Sequence, residues 1–530
     1  MFQHYEVFTR NLLKFIFWFC ILFILTFSLI ANAQDSTESL AFKNKRPQQR
    51  SPHFYRPDLA YQIWQKFKLT QEANAGDPLA QHELGLRFLL GEGVPADTAQ
   101  AVYWIKKAAD HNLTSAKYNY AILLINGIGV QWDPFTAFKL FQSAANDGMV
   151  QSQYVIGILY TDNLTVKRDY NLAYYWIKKA ADNEYEPAQK IVNKLEPKVS
   201  KNVVDSLLSG TGKSEDKNPI PDPSENLTSN LGLVFIDFES LTDSAISVTD
   251  SMLIENIEII GADSLSKILL ADKPSNLKQL ATKKNVEILM HLANNGNPEA
   301  QAILGKLYEQ GVYYKKNLVD AGVYYYRALR NDSPSATYIL WKLAQEESFQ
   351  QLVQKESENG NIISQYLWYG LTSIGFDRRI AIADALILLD QAADAYYLPA
   401  MVESGLNYYS NRFGRYNPDK GISIWENASR LGSDEAETRL IATRLLDAFG
   451  DYNKTEDFQK LKKAANEGSL FAMVSLGLCY EQGLGTNKSL PEAVNSFKMA
   501  AQRGSRFAYE ELKRIYDEMR PTDPEFLISN

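Results

Sequence analysis

The chain has 530 residues, of which 45% are hydrophobic and 22% are charged, and its formal net charge at pH 7 is −8. One hydrophobic core does not extend over so many residues, so the length predicts several domains or an array of repeats. The acidic balance argues against general nucleic-acid binding, because proteins that bind phosphate backbones present a basic surface.

The N-terminus has the parts of a secretory signal peptide. Arg10 and Lys14 supply positive charge, residues 15–30 form an uninterrupted apolar run, and residues 31–33 (Ala-Asn-Ala) are the small-x-small pattern that signal peptidase recognises. We therefore expect cleavage after a signal peptide of residues 1–33 and export to the periplasm or the medium. The apolar run is near the lower length limit for spanning a bilayer, so an uncleaved anchor in the inner membrane is the alternative.

Behind the signal peptide, we expect residues 34–57 to be disordered and residues 58–75 to form an N-terminal capping helix. From Ala80 onward, small residues recur at a period of 36. Fixed periods of this size indicate a solenoid of stacked units. The origins of the units are Ala80, Ala116, Ser152 and Ala188, then Ala300 and Ala336, and after one shortened unit Ser364, Ala400, Ala436, Ala472 and Ala508.

Each unit predicts two helices joined by a glycine turn. In "AQHELGLRFLLGEGVPADTAQAVYWIKKAADHN" (80–112), Gly91 and Gly93 end the first helix because glycine accepts the left-handed conformation. Asp97 caps the second helix, and Ala108-Ala109 marks its close packing on its neighbours. A small residue also recurs in the first helix, where we expect two helices to approach closely: Gly85, Ala121, Gly157, Gly305, Gly405 and Gly477.

These units resemble the Sel-one-like repeat (SLR) family, relatives of the tetratricopeptide repeat. The segment quoted above and "AMVSLGLCYEQGLGTNKSLPEAVNSFKMAAQRGS" (472–505) look like nearly full repeats. The resemblance covers about 80–195 and 290–515, and it weakens at the short unit 336–363 and at 436–471. The predicted fold is all-α, an α/α superhelical solenoid of helix-pair repeats in two blocks.

A segment of different composition separates the two blocks. Residues 198–230 are rich in Ser, Asn, Asp, Pro and Gly and predict a flexible linker, whereas "MLIENIEII" (252–260) has the β-branched residues of a short strand. We expect an insertion that is partly disordered or contains a small β structure, and that serves as a mobile clamp. The predicted domains are a first array over 58–197, the linker and insertion over 198–275, a second array with a C-terminal capping helix over 276–519, and a tail over 520–530.

No pattern of catalytic or metal-binding residues accompanies the repeats. The histidines stand at non-equivalent positions without zinc-site spacing, which predicts ordinary helix residues. Cys479 would be the single cysteine after signal cleavage, and its place on a packing helix predicts a buried, inert thiol. We therefore expect a non-catalytic protein with no cofactor and no bound metal.

Partner-binding residues should vary between units, because a solenoid distinguishes partners by differences on a shared scaffold. The positions two and three residues past each origin vary in this way. Tyr118, Asn119, Tyr154 and Tyr366 are the predicted partner-binding residues on the concave face, since tyrosine combines contact area with a polar end. Ordinary contact between repeats is the alternative role for these four residues.

The resemblance implies a protein-interaction module. Bacterial SLR proteins commonly bind other proteins, and exported members in intracellular pathogens are linked to host-cell entry or trafficking. We therefore expect a scaffold or adaptor that binds a protein partner in the bacterial envelope or as a virulence factor in host interaction. The alternative is a cell-wall or β-lactam-related hydrolase, as suggested for cysteine-rich relatives, but those carry a cysteine pair in nearly every repeat. A membrane-tethered, eukaryotic-style quality-control protein would usually have a transmembrane segment near the C-terminus, which residues 521–530 do not predict.

Overall fold

The computed structural model describes residues 66–209, 277–278, 281–447 and 452–528. Within these ranges the chain forms α-helices and short 3-10 turns, with no β-strand, which confirms the all-α repeat fold. The signal peptide, the segment 34–57 and the apolar run 252–260 lie outside the described residues, so the predictions for them stay predictions.

The first block begins with the expected capping helix and continues with helix pairs spaced by 36 residues. Its helices are α1 (Lys66–Ala75), α2 (Pro78–Leu90), α3 (Thr98–Asp110), α4 (Thr114–Asn126), α5 (Pro134–Asn146), α6 (Val150–Asp162), α7 (Tyr170–Asp182), α8 (Glu186–Leu195) and α9 (Lys201–Ser209). The last of these helices falls where the sequence predicts a flexible linker. Val204 of α9 is buried, and the amide of Ser200 just before the helix donates to Asn171 Oδ1 of α7 at 2.9 Å.

The second block also consists of helix pairs and ends in a C-terminal helix followed by a short tail. Its helices are α10 (Lys283–Asn294), α11 (Pro298–Gln310), α12 (Leu318–Arg330), α13 (Pro334–Ala344), α14 (Glu347–Glu358), α15 (Ile362–Ser373), α16 (Ile382–Asp394), α17 (Leu398–Tyr409), α18 (Pro418–Arg430), α19 (Asp434–Leu446), α20 (Lys454–Asn466), α21 (Leu470–Gln482), α22 (Leu490–Gln502) and α23 (Arg506–Met519).

The turns and caps follow the predicted pattern. Gly91 and Gly93 have φ values of 73° and 71°, in the left-handed region that favours glycine. Asp97 Oδ1 accepts hydrogen bonds from the amides of Ala99 and Gln100, both at 3.0 Å, and so caps α3. Ala108 is fully buried, as expected for the packed end of the second helix.

Where the first helix carries the recurrent glycine, that glycine marks a close approach of the two helices of the pair. A Cβ atom added to Gly477 would lie 2.6 Å from Phe497 Cε1 of α22, and one added to Gly305 would lie 2.7 Å from the Tyr325 ring of α12. No real Cβ contact is so short, so glycine is required for this helix spacing.

The short unit departs from this rule. Trp341 of α13 stands five residues past Ala336, at the position where Gly305 and Gly477 stand in their own units. Helix α14 begins three residues after α13 ends, without a Gly-x-Gly turn. The Trp341 side chain is 46% exposed, whereas Tyr369, at the same position of the next unit, is fully buried.

The C-terminal end of the second block packs on the first block, and the two share one hydrophobic core. Tyr516 of α23 meets Trp132 edge-to-face at 5.2 Å. The tail brings fully buried Phe526 against Phe135 and Phe138, with ring centroids 5.1 and 5.9 Å apart. Residues 277–400 form a second core, separate from the first. The arrays therefore make contact through the last helix and the tail of the chain.

Candidate functional site

The predicted partner-binding residues of the first block lie in packing contacts. Tyr118 is fully buried and meets Phe141 edge-to-face at 5.6 Å. Asn119 is fully buried as well, and Tyr154 is half-buried against Tyr185 at 5.5 Å. The structure does not bring these residues together with Tyr366 into one open groove.

Asn119 belongs to a closed hydrogen-bonding group around His82. Asn119 Nδ2 lies 2.7 Å from His82 Nε2, and Ser115 Oγ lies 3.3 Å from His82 Nδ1. Burial lowers the pKa of His82 to about 3, so the imidazole is neutral and both of its nitrogens have a partner. His82 is a fully buried core histidine, where the sequence predicted a solvated or partly buried helix residue, and Asn119 positions it.

Tyr366 of the second block is 2% exposed and lies edge-to-face between Tyr326 and Tyr397, at 5.6 and 5.5 Å. In this structure all four side chains lie in packing contacts, which is the alternative role that the sequence left open. Tyr118, Asn119 and Tyr366 are closed to a partner in this structure. Partner binding by the four residues stays a prediction, and it would require repacking at these three positions.

Ion pairs within the second block join units that are far apart in the chain. We define the inner face as Glu299, Arg327, Arg330, Glu403, Glu435, Arg439, Glu467 and Arg503. Arg503 Nε donates to Glu299 Oε1 at 3.1 Å, although 204 residues separate the two in the chain. Both side chains of this pair are more than nine-tenths buried. The inner face therefore fastens units to each other rather than presenting an open groove.

Glu403 is the most heavily bonded carboxylate of the inner face. It accepts hydrogen bonds from Arg412 Nη1 at 2.7 Å, Arg330 Nε at 3.2 Å and the Tyr369 hydroxyl at 3.2 Å. Burial by itself raises the pKa of Glu403, but Arg330 and Arg412 outweigh it and hold the pKa below its usual value. Glu403 is thus ionised at neutral pH and joins α17 to α12 and to the turn after α17.

Glu435 makes the corresponding link one unit further along. Its Oε2 accepts from Arg327 Nη2 at 3.4 Å, and its Oε1 accepts from Arg439 Nη2 at 3.3 Å. Arg327 Nη2 also donates to the carbonyl oxygen of Ala293 at 3.1 Å. These bonds connect α19 to α12 and to the end of α10.

The sequence contains a signal for this network that the predicted set missed. The residue 31 positions past an origin differs between units: it is Asn331 after Ala300 and Arg503 after Ala472, but Leu431 after Ala400. Asn331 Nδ2 donates to Gln301 Oε1 of its own unit at 3.1 Å, whereas Arg503 bonds Glu299 of a distant unit. Variation at this position indicates contacts across the solenoid.

An exposed aromatic pair is the surface feature that the predicted set also missed. Tyr338 and Trp341 of the short unit are 52% and 46% exposed, and their rings stack at 6.3 Å with an interplanar angle of 30°. Thr337 and Lys342 on the same helix are exposed as well. Tyr338 stands two past its origin, so the rule that selected Tyr118 and Tyr366 would have selected it.

Two other expectations concern chemistry. Cys479 is buried, and burial raises the pKa of its thiol to about 12, in agreement with an inert cysteine. Across the parts of the chain that the structure covers, no three or more His, Cys, Asp or Glu side chains group in a way that could hold a metal ion. Likewise, no helix in those parts is long and apolar enough to cross a membrane.

Paired helices, glycine turns and close packing of each unit on the next define a helical repeat protein of the interaction-scaffold type. Five of its units match the family model for the Sel1 repeat, and the chain is a Sel1 repeat protein. The matching segments are 78–113, 114–149, 150–185, 298–333 and 470–505.

Two curated relatives match short stretches of the chain. The chain is 31% identical over 99 residues to the mouse (Mus musculus) protein named DAP3-binding cell death enhancer 1, which is 19% of each chain. It is 30% identical over 132 residues to the chitin synthase regulator SKT5 of Malassezia restricta, covering 24% of this chain and 9% of that protein. The chain therefore spans less than a fifth of the length of these relatives.

Two solved structures are also similar. One is a protective antigen with an SLR fold from uropathogenic Escherichia coli, at 21% identity over 87% of this chain and 91% of that chain, with a TM-score of 0.30. The other is a Sel1 repeat protein from Oxalobacter formigenes, at 32% identity over 24% of this chain and 96% of that chain, with a TM-score of 0.24.

Proposed function

We propose that the protein is an exported, non-catalytic scaffold that binds a protein partner in the bacterial envelope or at a host cell. The Sel1 repeats support a scaffold, because repeats of this kind are typical of protein interaction. The names of two relatives, one DAP3-binding and one a chitin synthase regulator, likewise describe action on another protein. Export rests on the signal-peptide pattern of residues 1–33.

The exposed stack of Tyr338 and Trp341 is the observation that carries partner binding. Tryptophan and tyrosine are enriched among the residues that dominate binding energy at protein interfaces. The opposite side of α13 is buried through Ile339, Leu340 and Leu343, so the helix holds the pair in a fixed position. A rigid aromatic pair loses little conformational entropy when a partner covers it.

Affinity capture of the full-length chain tests this function. The tagged chain is crosslinked in cells and recovered separately from periplasm, outer membrane, and medium or host material. A double variant, Tyr338→Ala with Trp341→Ala, is compared with Tyr416→Ala, which removes a single tyrosine that is 67% exposed. We expect a protein that is captured by the wild type and by Tyr416→Ala and is lost with the double variant.

The fraction that yields the partner separates the two proposed settings. Envelope proteins recovered from periplasm or outer membrane would make the chain an envelope scaffold, and host proteins recovered from outside would make it an exported interaction factor. Equal capture by the double variant and the wild type would show that the aromatic pair is not the contact. A mature chain that retains residues 1–33 would contradict cleavage and favour the membrane anchor.

A further inference from the structure

A small cavity lies within the inner face of the second block, where α12, α15, α17 and α19 meet. Its volume is about 10 Å³, which is enough for a single water molecule or an ion of similar size. Three arginines, two glutamates and one tyrosine supply its polar lining: Arg327, Arg330, Arg439, Glu403, Glu435 and Tyr366.

The charges around this cavity do not balance. The groups joined to one another here are four guanidinium groups (Arg327, Arg330, Arg412 and Arg439) and two carboxylates (Glu403 and Glu435). Asp332 also interacts with Arg330, but its side chain is hydrogen-bonded to Ser505. Even with Asp332 counted, at least one positive charge is uncompensated. The Arg330 and Arg412 side chains are 24% and 26% exposed, but those of Arg327 and Arg439 are only 12% and 9% exposed, and an excess charge is costly at such buried groups.

Two donors of the same cluster have no acceptor. Arg327 Nε and Arg439 Nε are both buried and make no hydrogen bond, although their Nη2 atoms reach Glu435. Arg439 as a residue is only 7% exposed. A buried N–H group of a charged side chain is destabilising when it has no acceptor. A negatively charged hydrogen-bond acceptor would both balance the excess positive charge and accept from the two N–H donors.

We propose that the cavity binds a single monatomic anion of about the size of chloride, held by Arg327 and Arg439. The cavity volume selects a monatomic ion over a phosphate, a sulfate or a carboxylate, which have more atoms than the space admits. The ion would complete the link between α12 and α19, which lie four units apart in the chain, and would stiffen the second block. This role is independent of the proposed partner binding.

Bromide in place of chloride tests the site directly. Crystals of the full chain are grown or soaked in sodium bromide, and anomalous diffraction is collected at the bromine absorption edge. We expect a bromide peak in the cavity within hydrogen-bonding reach of both guanidinium groups. An ordered water in the cavity, with no anomalous peak at saturating bromide, would overturn the proposal.

Thermal unfolding supplies a second measurement in solution. Melting is followed in sodium chloride and in sodium gluconate at equal ionic strength, because gluconate is too large for the cavity. We expect chloride to raise the melting temperature of the wild type in a saturable way by roughly 1–4 °C. The difference should disappear in Arg439→Gln and persist in Arg415→Gln, a control whose partner is Asp390 outside the cluster. An equal melting temperature of the wild type in both salts would contradict chloride binding. If Arg439→Gln does not fold, the bromide diffraction experiment on the wild type tests the proposal.

Discussion

Removal of the Phe526 side chain should detach the tail from the first block. Phe526 is fully buried, and its ring packs on Phe135 and Phe138 while Lys139 Nζ lies 5.2 Å from the ring centroid. Truncation of a buried phenylalanine to alanine costs about 3–5 kcal/mol in a closed core. Because this ring sits beside a cavity of about 350 Å³ near the end of the chain, part of the loss can relax, and we expect about 2–3 kcal/mol for Phe526→Ala.

The charged contacts of the tail contribute much less. Lys139 pairs with Asp523 at 2.5 Å and with Glu525 at 3.4 Å, but all three side chains are 40–49% exposed. Exposed pairs of this kind contribute little to stability, because water and salt screen the charges. Lys139→Met should therefore have a small effect compared with Phe526→Ala.

Hydrogen exchange is the suitable assay, since a repeat solenoid need not unfold in one step. In Phe526→Ala, amides of α5 and α23 should exchange faster, whereas those of α11 and α12 should be unchanged because they belong to the separate second core. Leu527→Ala is the matched control, since Leu527 is 57% exposed. If Phe526→Ala and Leu527→Ala gave the same exchange pattern, the tail would not be the link between the two blocks.

Three further predictions concern the stability of the repeats. Burial lowers the pKa of His82 to about 3, so between pH 6.5 and 3 the unfolded chain binds a proton that the folded chain does not. His82 should therefore lower the free energy of unfolding by about 1.4 kcal/mol per pH unit below pH 6.5. From pH 7 to 5 the urea midpoint should fall less steeply for His82→Gln than for the wild type, and equally steep falls would contradict a lowered pKa. Gly477→Ala should destabilise by about 1–3 kcal/mol because its Cβ would meet Phe497, whereas a higher melting temperature would show that the helices have room. Asp133→Ala should cost about 1 kcal/mol through loss of the α5 cap to Phe135 and Thr136, while Asp133→Asn, which keeps an acceptor, should melt close to the wild type.

The 36-residue period was sufficient to predict the fold because it reflects the contacts within a unit and between neighbouring units. Gly91, Asp97 and Gly477 each act on residues a few positions away or on the next helix, so their roles follow from local spacing. The composition of 198–230 as a whole is polar and predicts a linker. It conceals the apolar residues of "KNVVDSLLS", which form the helix at 201–209.

The candidate site was harder to predict because it depends on contacts between distant units. The pairing of Glu299 with Arg503 requires the solenoid to bring units 204 residues apart together, and no local pattern encodes that curvature. Tyr366 is buried between Tyr326 and Tyr397, so it looks like a surface residue only when its own helix is considered alone. Tyr338, in contrast, was predictable in principle, because it stands two residues past Ala336, at the position that selected Tyr118 and Tyr366.

Site-specific photocrosslinking in living cells tests the central claim most directly, namely that the protein is a scaffold that binds through the short unit. A photoreactive residue replaces Thr337, which is exposed beside Tyr338, and in a second strain it replaces Tyr416 as the control. We predict one discrete covalent adduct with a partner protein from position 337 and none from position 416. No adduct at 337, or the same adducts from both positions, would contradict the account.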